Sequence, residues 1–306
     1  MPGRRRSGRL LGAAAALAAA GAAAFWLATA PRRPDPALTA GLQGDAARGA
    51  LVFRVGGCAA CHAAPGAEPA ERPVLSGGRR FVTPFGTFTA PNVSPHPEAG
   101  IGAWSLQDFA AAMLRGVGRD GRHLYPAFPY VSYARMTPQD VADLWAWMRA
   151  LPPSDSRPPG HDLPFPFNIR RGLGLWKLLA LDPSWVVDVP ADDALAMRGR
   201  YLVEGPGHCA ECHTPRNALG VLDRARWLQG APNPDGPGVV PDITPGPKGI
   251  GGWSEEDIAW YLESGFTPDY DSVGGSMAEV VRNLSGLPKE DLRAIAAYLK
   301  AVPPSP

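Results

Sequence analysis

The string Cys-x-x-Cys-His occurs twice in this 306-residue chain, as Cys58-Ala59-Ala60-Cys61-His62 and Cys209-Ala210-Glu211-Cys212-His213, and the two copies use all four cysteines. Two thiols three residues apart on one helical turn can each add to a haem vinyl group, and the next residue sets an imidazole under the iron as proximal ligand. A zinc ribbon would place its cysteine pairs about 15–20 residues apart. Here the pairs are 151 residues apart, and each carries a His at the same offset. A thioredoxin-like redox pair has no use for that His. The motifs therefore predict two covalently bound haem c groups, attached at Cys58, Cys61, Cys209 and Cys212 and ligated by His62 and His213.

Haem is itself a large apolar core element, so a chain of this length can form two small units. Residues 1–33 read as a signal peptide or membrane anchor: Arg4, Arg5, Arg6 and Arg9, then an uncharged, Ala-rich run from Leu10 to Ala30. That run is just long enough to span a bilayer. Pro31, Arg32 and Arg33 make a poor context for cleavage after Ala30, which favours a retained anchor. Either outcome places the haem units outside the cytoplasm, in the periplasm of a bacterium. Without this segment, residues 34–306 carry 24 basic against 29 acidic side chains, a formal −5, and show no nucleic-acid footprint. The 36 glycines and 35 prolines fit irregular loops wrapped around haem edges.

Self-comparison at offsets of 149–151 residues aligns the two halves. Asn92-Val93-Ser94-Pro95 matches Asp242-Ile243-Thr244-Pro245, Ile101–Ser105 matches Ile250–Ser254, and Asp140–Pro153 matches Asp291–Pro304. The chain is thus a tandem duplication, with units at 40–153 and 191–304. Each unit reads as all-α. A helix over 44–56 or 198–205 leads into the motif, a middle helix covers 105–115 or 254–264, and a closing helix covers 138–150 or 289–301. Ser105, Ser254 and Thr137 are good N-caps. Residues 154–190 do not repeat and read as an interdomain linker with one short helix over 169–181; a docking surface is the alternative.

A low-spin electron-transfer haem needs a sixth ligand, and Met thioether raises the potential. Met277, in the Gly-rich loop before the closing helix, is the candidate in the second unit. The offset of 149 carries it onto Phe128, which cannot ligate iron. Met136, just before the first closing helix, is the nearest replacement for haem 1, although its repeat equivalent is Leu287 and packing is its bland role. His123, His96 and Met113 are weaker candidates, and an open five-coordinate iron is the other outcome.

The stretches PFGTFTAPNVSPHPEAGIGAWS (84–105), HLYPAFPYVSYARMT (123–137), GHCAECHTPRNALG (207–220) and SMAEVV (276–281) resemble the dihaem and trihaem cytochrome c subunits that serve periplasmic alcohol and aldehyde dehydrogenases. The resemblance spans about 44–302. It implies two tandem class I cytochrome c domains, a quinoprotein, flavoprotein or molybdenum dehydrogenase as electron donor, and quinone or a terminal oxidase as acceptor. Many members of that family read Tyr-Pro-Ala-Met-Pro-Tyr where this chain has Phe128 in place of the Met, and the trihaem members carry a third motif. The leading function is an electron-transfer subunit without catalysis of its own. The competing class is a dihaem peroxidase with an open haem 1, which needs an acid–base group over the vacant face; His96 and Glu98 are the groups to examine. Gas sensing at haem 1 is a third reading and has no signalling domain beside it.

Overall fold

A computed structural model describes residues 3–234 and 236–306, with side chains from residue 12 onward. The first helix, α1 (Gly3–Ala28), holds the Ala-rich run; Arg4, Arg5, Arg6 and Arg9 lie outside the described side chains. Among the described residues no helix is long and apolar enough to cross a membrane, so the expected anchor finds no support. The end of α1 is instead docked on the first unit and the linker. Thr29 is fully buried, its carbonyl accepts from His123 Nε2 at 2.9 Å, and its hydroxyl accepts from Arg171 Nε at 2.9 Å.

The first unit begins with α2 (Ala46–Val55), capped by Asp45, whose carboxylate accepts from the Ala47 and Arg48 N–H groups. A short α3 (Cys58–His62) carries the motif. The middle helix α4 (Leu106–Arg115) starts in a capping box, with the Ser105 hydroxyl on the Asp108 N–H and the Asp108 carboxylate returned to the Ser105 N–H. After α5 (Tyr130–Tyr133), α6 (Pro138–Arg149) is capped by Thr137. A linker helix α7 (Leu173–Ala180) precedes the second copy: α8 (Ala194–Glu204), α9 (Ala210–His213), α10 (Glu255–Ser264), α11 (Met277–Leu284) and α12 (Lys289–Ala301). The Ser254–Asp257 pair repeats the capping box.

The two copies cross their terminal helices in the same way, α2 on α6 and α8 on α12. A glycine sets each crossing. A Cβ on Gly49 would lie 1.9 Å from the Asp143 carbonyl oxygen, and one on Gly199 would lie 1.8 Å from that of Ala294. No other residue lets the backbones approach this closely. Around these crossings the helices bury two cores, one with Phe109, Met113, Val141, Leu144 and Trp145, the other with Leu202, Ile258, Leu292, Ile295 and Leu299.

The structure is mostly helical, as expected, and each unit adds a short antiparallel hairpin that the expectation did not include. In the first, β1 (Arg80–Thr83) pairs with β2 (Gly86–Thr89) across Pro84-Phe85. In the second, β3 (Ala231–Pro232) pairs with β4 (Val239–Val240). The run Phe81-Val82-Thr83-Pro84-Phe85-Gly86-Thr87-Phe88-Thr89 alternates β-branched and aromatic residues about a Pro-x-Gly turn, a local strand signal that the helical reading passed over.

The linker is a strap rather than a loose joint. Asp162 exchanges backbone hydrogen bonds with Thr87 on the hairpin, at 2.8 and 2.9 Å. Asn92 Nδ2 donates to the carbonyls of Ser154 and Ser156, and Lys177 Nζ donates to those of Arg115 and Gly116 at the end of α4. At its far end the Glu204 carboxylate accepts from the Val186 and Val187 N–H groups.

Candidate functional site

Each motif sits on a short helix behind a residue with left-handed backbone, Gly57 at φ +55° and His208 at φ +41°. His62 Nδ1 lies 2.9 Å from the Pro91 carbonyl oxygen, and His213 Nδ1 lies 2.8 Å from that of Pro241. A carbonyl only accepts, so Nδ1 is the protonated nitrogen in both rings. Burial lowers both imidazole pKa values, partly offset by these same hydrogen bonds, so the neutral form with a lone pair on Nε2 prevails at neutral pH. A carbonyl behind the ring that fixes its tautomer and orientation is what an iron-ligating His requires. The segments matched between the two units stop one residue short of these prolines: Pro91 and Pro241 directly precede Asn92 and Asp242.

The segments that supply those carbonyls share one turn hydrogen bond and differ in the second, where Asn92 donates and Asp242 accepts. Asn92 Oδ1 accepts from the Ser94 N–H, and Asp242 Oδ1 from the Thr244 N–H. Each also ties in the chain just after the closing helix, at Ser154 in one unit and Ser305 in the other. The loop under each histidine is therefore braced by the end of its own unit.

Burial, with a smaller contribution from the neighbouring thiol of the same motif, pushes Cys58 and Cys209 up to about 12. Among the described residues no three His, Cys, Asp or Glu side chains gather as a metal ion's ligand set. No zinc-type ligand cluster forms among them, and the donor set suits covalent haem c, with one imidazole per motif available to the iron of that motif's own haem.

The distal candidates divide by unit. Met277 is the first residue of α11, half-buried against the second core, and its helix is held from the first unit by the Arg72–Glu279 ion pair. Phe128, its equivalent, is half-buried with its ring against Tyr133 at 5.5 Å. Met136 is buried in the first core and lines a small cavity with Cys58, Met113 and Tyr133; Leu287 is equally buried in the second core. His123 is committed to the Thr29 carbonyl. His96 Nδ1 accepts from the Glu98 and Ala99 N–H groups and so caps a surface turn.

The motifs of the two units face each other. His208 Nε2 donates to the Gly56 carbonyl oxygen at 3.1 Å, and its ring meets Tyr133 edge-on at 5.6 Å. Ser132 Oγ lies 3.1 Å from Glu211 Oε1. Behind them Arg135, from the first unit, lies 3.6 Å from Glu204 of the second, both side chains almost wholly buried. Glu204 also accepts from Tyr298 Oη at 2.6 Å, which in turn accepts from Trp227 Nε1.

The cytochrome c family matches residues 46–152. A dihaem c-type cytochrome of Cereibacter sphaeroides is 58% identical over 287 residues, covering 93% of this chain and 94% of that protein. The fructose dehydrogenase cytochrome subunit of Gluconobacter japonicus is 38% identical, over 89% of this chain and 55% of its own length. The cytochrome c subunit of the quinone-dependent alcohol dehydrogenase of Gluconobacter oxydans is 37% identical, over 85% and 55%. The chain thus spans about half the length of those two dehydrogenase subunits. With two copies of one attachment motif, each histidine pinned by a proline carbonyl, and these relatives across most of its length, the chain belongs to the c-type cytochromes that include the cytochrome c subunits of dehydrogenases.

Proposed function

We propose that the chain binds one haem c on each motif and relays electrons in the periplasm from a dehydrogenase catalytic subunit toward quinone or a terminal oxidase. The observation that carries this is the matched setting of His62 and His213, each with Nδ1 on a proline carbonyl and Nε2 left to ligate. When bound, each haem supplies a one-electron couple; the chain's part is to attach, orient and bury it and to set its potential through the axial ligands. The relatives named as dehydrogenase cytochrome subunits support the donor class. For the sixth ligands, Met277 serves haem 2 and Met136 serves haem 1.

The peroxidase reading is not favoured. His96 commits Nδ1 to a surface turn, and the Glu98 carboxylate, 79% exposed, faces Arg157. Neither is poised in a buried pocket as the acid–base group that peroxide cleavage needs. Intact mass and haem staining on a denaturing gel test the relay reading directly: two haem additions are expected, and one addition rejects it. Isolation of the native protein with a dehydrogenase subunit supports the donor assignment, and isolation alone from every membrane and periplasmic extract counts against it.

A further inference from the structure

We propose that His208 is the bridge through which electrons pass between the two haem-attachment motifs, an inference that rests on each motif holding a haem. His208 immediately precedes Cys209, the first attachment cysteine of the second unit. Its Nε2–H donates at 3.1 Å to the carbonyl of Gly56, two residues before Cys58. One hydrogen bond therefore joins the two attachment cysteines: from Cys209 along the backbone to His208, through the imidazole to the Gly56 carbonyl, and through Gly57 to Cys58. The two segments run close together at this point, since a Cβ on Gly56 would lie 3.4 Å from Cys58 Sγ and 3.6 Å from the Pro206 carbonyl oxygen, two residues before His208.

Two further observations single out this side chain. Its ring packs edge-on against Tyr133 at 5.6 Å, and Tyr133 lines the small cavity that Cys58 also lines, so the imidazole reaches the side chains beside the first motif. The backbone supplies the other. The residue before the first cysteine takes left-handed φ in both units, and the first unit fills that place with Gly57, which adopts it freely. The second unit holds a histidine there at φ +41° and accepts the strain. A packing role alone would not need a ring with a polarised N–H at a position that glycine suits better.

The step balances without any other reagent. One iron is oxidised from ferrous to ferric as the other is reduced from ferric to ferrous, no bond forms or breaks, and the Nε2 proton stays in its hydrogen bond. The buried Arg135–Glu204 pair and the Ser132–Glu211 contact join the same two units beside this path.

The test uses the full chain with both haems attached, verified by intact mass. A single haem at this stage rejects the underlying relay reading before the bridge is examined. Pulse radiolysis then injects one electron per molecule, and exchange between the haems is followed optically, with each haem's potential measured separately. The variant His208→Gly reproduces the first unit's residue and relieves the strain, so melting temperature and both haem spectra are expected to hold or improve while the exchange rate falls at least tenfold. His208→Gln, which keeps a side-chain N–H donor, is expected to fall less than threefold. A wild-type exchange rate in His208→Gly, or a slowing fully explained by a changed gap between the two potentials, overturns the proposal.

Discussion

Asp143 shows how much one buried carboxylate can organise. It accepts from the Asp45 N–H at 2.7 Å, from Arg48 Nε at 2.7 Å and from Gln139 Nε2 at 2.9 Å, and so ties the start of α2 to the middle of α6. Burial by itself would raise its pKa, but the Arg48 guanidinium and these hydrogen bonds outweigh it and hold the group below the usual carboxylate range. Because the folded pKa is depressed, the stabilisation is present at neutral pH and is lost as pH falls through that range. Asp143→Asn should therefore cost about 1–3 kcal/mol at pH 7, and denaturant titration should show the gap from wild type closing below about pH 4. The distal candidates proposed above can be separated by single substitutions in the same way. Met277→Leu should remove the thioether signature from haem 2 and lower its potential, whereas an unchanged potential excludes Met277. Met136→Ala should turn only haem 1 high-spin. If ferric haem 1 is already high-spin in the wild type and binds cyanide readily, Met136 is a packing residue, the role that Leu287 has in the second unit.

The helices take their ends from neighbours in sequence and their crossing from a single small residue. Ser105 with Asp108 and Ser254 with Asp257 close matching capping boxes, each satisfying N–H groups that a helix start leaves without partners. The crossings depend on Gly49 and Gly199. Gly199→Ala would force α8 away from the Ala294 carbonyl, and a loss of about 1–3 kcal/mol is expected from overpacking. Circular dichroism should show the helix content kept while the melting temperature falls; an unchanged melting temperature would mean that the crossing is not as tight as the structure shows. The hairpins belong to a different logic. Their partners are also local, but β1 and β2 gain their place from Asp162, which pairs with Thr87 and makes the linker a third edge.

The two units are joined by polar pairs buried between them. Arg135 donates to the carbonyls of Ser184, Val131 and Asp182 and faces Glu204, while Glu204 takes N–H groups from the linker and the hydroxyl of Tyr298. Burial lowers the Arg135 pKa, with Glu204 opposing that shift. Removing one member strands the other without a counter-charge, which typically costs about 3–5 kcal/mol. Glu204→Ala should accordingly split a single calorimetric unfolding transition into two, the second unit melting first. One undivided transition at the wild-type temperature would mean that the units are joined chiefly by other contacts. At the periphery, Arg72 with Glu279 and Tyr201 with Asp140 repeat the pattern of one partner from each unit.

Much of this organisation is written locally. The two Cys-x-x-Cys-His motifs, the repeat that carries them and the helix starts all depend on residues within a few positions of one another, or on a pattern that recurs at a fixed offset, and for that reason the chain announces them before it is folded. The proline carbonyls behind His62 and His213 were nearly as legible, one residue outside the matched segments. The strap, the docking of Thr29 under His123, the Arg135–Glu204 pair and the contact of His208 with Gly56 were not. Each joins residues tens to more than a hundred positions apart, on faces that no local period marks. They exist only because closely packed helix pairs bring those faces together, and burial then makes each unmatched polar group too costly to leave alone.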